Sequence, residues 1–168
     1  DRVLVSDPPD SLYDSGFYGQ PVGGNKGETG LQLSLIESAA LTRRGVLAIG
    51  DGATAIENRG RAVEGDRFDR RLAVYERLRE NGVVPKTGFK FGADFRTYAE
   101  VTSVSELGHS ETLVWVLSPE YAFEPRELAL YVRLAGGVRK RAVFALVDDP
   151  ASAEDDGIAW LSVARSTP

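Results

Sequence analysis

The 168-residue chain contains no cysteine, no methionine and a single histidine, His109. Without cysteine there is neither a disulfide framework nor a thiolate metal site, and one histidine cannot assemble the usual zinc ligand sets. No metal and no cofactor is expected. No apolar run approaches the roughly 18–20 residues that a membrane-spanning helix needs, and Asp1-Arg2-Val3-Leu4-Val5 lacks the long apolar core of a signal peptide. The expectation is a soluble, cytoplasmic protein with no membrane partner. The lack of methionine even at position 1 suggests a processed piece or an excised portion of a longer polypeptide.

The length allows one domain with a full core, or two small ones. The formal charge of −5 argues weakly against a nucleic-acid partner, because phosphate binding runs on local positive charge. Distribution can override the total. Lys86, Lys90, Arg96, Arg133, Arg139, Lys140 and Arg141 fall around the residues singled out below, whereas Asp148, Asp149, Glu154, Asp155 and Asp156 are concentrated in one late loop. The sixteen arginines against four lysines fit phosphate recognition, but fit genome composition or a saline interior better.

Along the chain, Val3-Leu4-Val5 and Gly16-Phe17-Tyr18-Gly19 read as short strands among turn-rich sequence. Gly23 to Gly30 is glycine-rich but lacks the spacing of a phosphate-binding Walker loop, so it reads as a hairpin connection. Leu31-Gln32-Leu33 alternates as a strand, and Ser34 with Glu37 forms a capping box opening a helix that Gly45 stops. A second helix begins near Asp66, with Phe68, Leu72, Tyr75 and Leu78 on one stripe. Between them Val46 to Gly65 is polar and glycine-containing, and a domain junction is expected there.

Beyond Gly82 the pattern turns to strands at Val83-Val84, the Phe89/Phe91 alternation, Phe95 to Tyr98 and Thr112 to Leu117. Pro125 then opens a helix with Leu128, Tyr131, Val132 and Ala135 on its apolar face, ended by Gly136-Gly137. Strands at Ala142 to Val147 and Ile158 to Val163 follow. Trp115 reads as core or interface, and Trp160 as part of an edge-like strand. The predicted class is α/β (α+β): a small N-terminal α/β domain over residues 1–65, followed by a C-terminal mixed-sheet domain over 66–168 with flanking helices.

Tyr98, His109 and Lys140 all fall at strand ends or in adjoining loops, where such proteins concentrate chemistry. A phenol, an imidazole and an ammonium suffice to cleave RNA by attack of its own 2′-hydroxyl: one group takes a proton, one gives a proton, one holds the charge that builds on phosphorus. His109 is the first candidate for proton traffic near neutral pH.

These residues resemble the archaeal tRNA-splicing endonuclease family along nearly the whole chain. Tyr18-Gly19 and Leu31 to Glu37 are similar to its N-terminal domain, and Tyr75-Glu76-Arg77-Leu78-Arg79 through Tyr98 to its most characteristic stretch. Pro85 departs from a valine-like strand residue, which a sheet tolerates at an edge or a strand end; the loop from Ala99 to Gly108 is not diagnostic. The resemblance implies a metal-independent triad in which Tyr98 takes the 2′-hydroxyl proton, His109 protonates the departing 5′-oxygen and Lys140 neutralises the phosphorane. A free phenol with pKa about 10 is about one part in a thousand ionised at pH 7, so a cation beside it would help, whereas an imidazole near 6.5 suits an acid. It further implies that Arg133 and Arg165 stack on extruded bulge bases, that the acidic loop Asp148–Asp156 docks into a partner's basic groove, and that precursor tRNA is cut at intron boundaries within bulge-helix-bulge motifs.

The products implied are a 2′,3′-cyclic phosphate and a 5′-hydroxyl. Two bulges related by a pseudo-twofold axis call for two sites presented together, hence a homo-oligomer (dimer or tetramer) or a pairing with a homologous half or subunit. One alternative is a non-catalytic structural subunit of the same complex, which would keep the fold and lose the triad. The other is a metal-dependent nuclease of related fold, whose chemistry usually needs an acidic residue two positions before its lysine. Gly24, Val84, Gly88 and Val138 hold those positions before the four lysines.

Overall fold

The computed structural model describes residues 1–22, 30–50, 52–152 and 157–165. By internal contacts they form two compact units, one of residues 1–72 with 102–106, the other of residues 73–101 with 107–168. The class is α+β.

In the first unit β1 (Arg2–Ser6) and β2 (Gln20–Val22) flank the central β3 (Gly30–Ser34), both antiparallel to it. Leu31 and Leu33 alternate inward from β3 and pack with Leu12 and Leu41. Ser34 caps α1 (Leu35–Arg43): its Oγ accepts the Glu37 amide at 3.2 Å while Glu37 Oε2 accepts the Ser34 amide at 2.9 Å, the reciprocal pair read from the sequence. Residues 16–19, expected as a strand, are not one. Phe17 (φ 56°) and Gly19 (φ 63°) are left-handed, and a Cβ on Gly19 would lie 2.7 Å from the Gln32 carbonyl oxygen, so the extended chain begins only at Gln20. The glycine-rich residues 23–29 lie outside the described residues.

The polar stretch expected as a junction carries a helix, α2 (Gly52–Glu64), of which only Ile56 and Gly60 are buried. With only two of its residues buried, this helix is held by its packing on α1 and by surface charges. Arg43 donates to Glu57 at 2.7 Å and Arg61 reaches both Glu57 at 3.0 Å and Asp69 at 2.8 Å. The Arg43 guanidinium, with Arg61, holds the Glu57 carboxyl below its ordinary range against the opposing effect of burial.

At Gly60 the ring of Phe68 lies where a side chain would be: an added Cβ would meet Phe68 Cε2 at 2.2 Å. Gly60→Ala should therefore lower the melting temperature, since overpacking of about 1–3 kcal/mol exceeds the roughly 1 kcal/mol that alanine gains in helix propensity. Thermal unfolding of the variant at or above wild type would mean that Phe68 yields without cost.

α3 (Arg67–Glu80) carries the predicted stripe, with Phe68, Leu72, Tyr75 and Leu78 all buried, and the division between the two units falls inside it. The second unit is a five-stranded mixed sheet in the order β4 (Val84–Thr87), β5 (Phe95–Tyr98), β6 (Thr112–Leu117), β7 (Arg141–Val147), β8 (Ile158–Val163). Only β6 and β7 are parallel, joined through α4 (Pro125–Gly137), which has its proline at the first turn and packs on β7. Pro85 sits on β4, an edge strand, where its missing N–H is tolerated. Trp160 lies on the other edge and is exposed, while Trp115 is buried among Phe144, Tyr131 and Leu113.

The Phe89/Phe91 alternation, expected as a strand, is instead a single 3₁₀ turn, Phe89–Phe91, connecting β4 and β5. Gly88 has no room for a Cβ, which would meet the Ala93 carbonyl oxygen at 2.7 Å, and Gly92 is left-handed at φ 63°; the two glycines close the turn and override the alternation. Among the described residues no helix is long and apolar enough to cross a membrane.

Candidate active site

Register sets Tyr98 and Lys140 at the same end of the five-stranded sheet. β5 and β6 pair with Thr97 opposite Thr112, and β6 and β7 with Thr112 beside Arg141. One residue further along, the Glu111 amide donates to the Thr97 carbonyl at 3.0 Å and the Arg141 amide donates to the Glu111 carbonyl at 3.0 Å. Tyr98, Glu111 and Lys140 therefore lie in one row at the ends of three strands, Glu111 and Lys140 each one residue before β6 and β7, and the Glu111 carboxylate lies 3.7 Å from the Arg141 guanidinium. His109 stands two residues before Glu111, exposed, directly after the 3₁₀ turn Val104–Gly108.

Lys140 is held from three directions. Arg139 before it takes a left-handed conformation (φ 57°), reversing the chain as it leaves α4, and the Lys140 amide donates to the Ala135 carbonyl at 2.9 Å. Its Nζ donates to the Ser110 carbonyl at 2.6 Å, tying the start of β7 to the residue next to His109. Below the ammonium lies the Phe91 ring, with its centroid 5.7 Å away, at the reach of a cation–π contact. An ammonium carries three donors, and among the described residues the Ser110 carbonyl engages one of them.

Tyr98 is in a different situation. It is 2 % exposed, and its hydroxyl is buried with no hydrogen-bond partner among the described residues. Such orphaned hydroxyls are rare because each forfeits its hydration. The Arg96 guanidinium lies over the Tyr98 ring at 5.7 Å from its centroid, and Arg96 Nε is likewise buried without a partner. Sequence reasoning passed over Arg96 as a neighbour of Tyr98 and Phe91 as the floor beneath Lys140. The first was legible from the two-residue period of β5; the second was hidden by reading residues 89–91 as a strand.

Register brings Tyr98 and Lys140 into one row with His109 beside it, but no hydrogen bond joins the three side chains among the described residues. Arg133 on α4 and Arg165 after β8 are both exposed and make no ion pair there. Of the acidic loop, Asp148 and Asp149 are exposed, while Glu154, Asp155 and Asp156 lie outside the described residues. Among the described residues no group of three histidine, aspartate or glutamate side chains is clustered so as to hold a metal ion.

Two stretches match known family patterns: residues 1–59 that of the tRNA intron endonuclease, N-terminal domain, and residues 68–155 that of the tRNA intron endonuclease, catalytic C-terminal domain. Among individual relatives, the tRNA-splicing endonuclease of Natronomonas pharaonis is 62% identical over 168 residues, covering 100% of this chain and 48% of its own length. That of Haloarcula marismortui is 58% identical with the same coverage, and that of Methanosarcina acetivorans 38% identical over 172 residues, covering 98% of this chain and 46% of its own. The chain thus spans about half the length of the curated relatives it matches.

Proposed function

Because the chain belongs to the tRNA intron endonuclease family, we propose that it supplies an RNA-cleaving centre for precursor tRNA, with residues 66–168 as the catalytic portion and Tyr98, His109 and Lys140 as its reacting groups. The observation that carries this reading is the Tyr98–Glu111–Lys140 row, with exposed His109 beside it. In the proposed reaction Tyr98, ionised to its phenolate, takes the 2′-hydroxyl proton as the 2′-oxygen attacks the adjacent phosphorus. The P–O5′ bond breaks as His109 gives a proton to the departing oxygen. Lys140 donates to the non-bridging oxygens while phosphorus is five-coordinate. Atoms balance in a 2′,3′-cyclic phosphate and a 5′-hydroxyl, with no water consumed.

Lys140 is the best prepared of the three, since its ammonium is already fixed by the Ser110 carbonyl and needs no reorganisation to meet a phosphate. Tyr98 is the least prepared. Its hydroxyl has to be uncovered for RNA to reach it, and catalytic hydrogen bonds often tighten only in the substrate complex. That buried hydroxyl favours a second reading, a non-catalytic structural subunit. We further propose that bulge-helix-bulge RNA is the substrate and that Arg133 and Arg165 contact its unpaired bases. Two such centres would act together in a cytoplasmic homo-oligomer or with a homologous half, joined through the loop 148–156.

Cleavage of a bulge-helix-bulge RNA by the natural full-length protein is expected to persist in excess EDTA, with the RNA kept folded by monovalent salt, because a phenol, an imidazole and an ammonium complete the proton and charge balance. The assay reads ends as well as rate. Activity lost on chelation and restored by magnesium would replace this mechanism with a metal-dependent one, and RNA binding without cleavage would favour the structural subunit.

A further inference from the structure

Phe89 is 86 % exposed, the most exposed of the large apolar side chains in the described residues, yet the turn that carries it is tied down by hydrogen bonds. The Trp115 indole N–H donates to the Gly92 carbonyl at 2.7 Å, Asp94 Oδ2 accepts the Val116 amide at 2.8 Å, and the Gly88 amide donates to the Asp94 carbonyl at 3.1 Å. Gly88 and Gly92 close the turn where side chains would clash or be strained. A loop tip kept merely for connection has no need of a phenyl ring in water, nor of an indole anchoring the carbonyl beneath it.

Two features indicate what covers the ring. Residues 86–92 carry Lys86 and Lys90 and no acidic residue, so the surroundings of Phe89 suit an anionic partner. Two residues on, Phe91 from the same turn lies under the Lys140 ammonium, and a 3₁₀ turn rises only about 2 Å per residue. One face of the turn thus supports the candidate catalytic cation while the other offers a bare aromatic plane to solvent. A base next to a phosphate has these same two needs, a π surface to stack on and a cation for its backbone.

We propose that the Gly88–Gly92 turn is an RNA-stacking site in which the Phe89 ring receives one unpaired base near the scissile phosphate and Lys90 faces the adjoining phosphate. The proposal rests on the RNA-cleaving reading. It differs in kind from the arginine contacts above, because the Phe89 ring is neutral and its stacking on a base is insensitive to salt, whereas a guanidinium over a base brings a charge whose share of the binding is screened.

The test uses the natural full-length protein and bulge-helix-bulge RNA carrying 2-aminopurine at each unpaired position in turn. Phe89→Ala should weaken RNA binding by about 5- to 150-fold, the range for losing one stacked base, and should abolish the emission change at one position. Phe89→Leu should behave as alanine does, and Phe89→Trp should restore both signals. Alanine and leucine variants that bind as tightly as wild type, or a leucine variant that binds as well as tryptophan, would overturn the stacking. So would a smaller particle for Phe89→Ala in sedimentation without RNA, which would make the ring a protein contact. Wild-type protein that binds no RNA at all would remove the RNA-cleaving reading itself, an outcome separable from the others because it is read before any variant is made.

Discussion

His109→Ala is expected to lower single-turnover cleavage by about 10²–10⁴-fold and to leave RNA affinity near that of wild type, the loss that follows if the proposed general acid acts only in the transition state. His109 is the chain's only histidine, it is exposed, and no hydrogen bond or ion pair engages it among the described residues. Truncation therefore carries little folding cost, and the fold of the site stays intact because the Lys140 contact runs to the Ser110 carbonyl, a main-chain atom that the substitution retains. Rates at saturating enzyme separate chemistry from binding. A variant that binds weakly but cleaves at the wild-type rate once bound would reassign His109 from acid to RNA contact.

Tyr98→Phe is expected to split activity from stability. It removes one oxygen, the buried hydroxyl without a partner, and so relieves a desolvation cost of about 1–3 kcal/mol while the ring and its contact with Arg96 remain. Urea unfolding should show the variant at least as stable as wild type. If Tyr98 accepts the 2′-hydroxyl proton, the same change lowers the cleavage rate by about 10²–10⁴-fold. A less stable variant with full activity would mean that the hydroxyl has a structural partner and no chemical role. The combination predicted here, stability kept and rate lost, is the signature of an orphaned polar group retained for function.

Sequence alone was enough for elements whose signals are local. Ser34 and Glu37 are three residues apart and cap their own helix; Pro125 opens α4; the stripe of Phe68, Leu72, Tyr75 and Leu78 states the face of α3 without reference to anything else. Thr112–Leu117, Ala142–Val147 and Ile158–Val163 read as strands because a run of apolar and β-branched residues has few other local solutions. Pro85 announced an edge by what it lacks. The positions of Tyr98 and Lys140 at the boundaries of strands were legible for a related reason, since each closes or precedes a run of strand residues.

Tertiary structure decided what depends on partners distant in the chain. α2 buries only Ile56 and Gly60 in a stretch that reads as polar, and its place is set where Gly60 receives the Phe68 ring and Glu57 receives Arg43. Residues 16–19 and 89–91 read as strands, but Gly19 lies against Gln32 and Gly88 against Ala93, close approaches that a pattern of apolar and polar residues does not report. The same holds within the site. Lys140 is fixed by a carbonyl 30 residues away and floored by a ring from another connection, while the Tyr98 hydroxyl is left without a partner. Short-range pattern dictates which residues form an element and which face they present; what each face meets is set by register and packing, and those are settled only when the whole chain is folded.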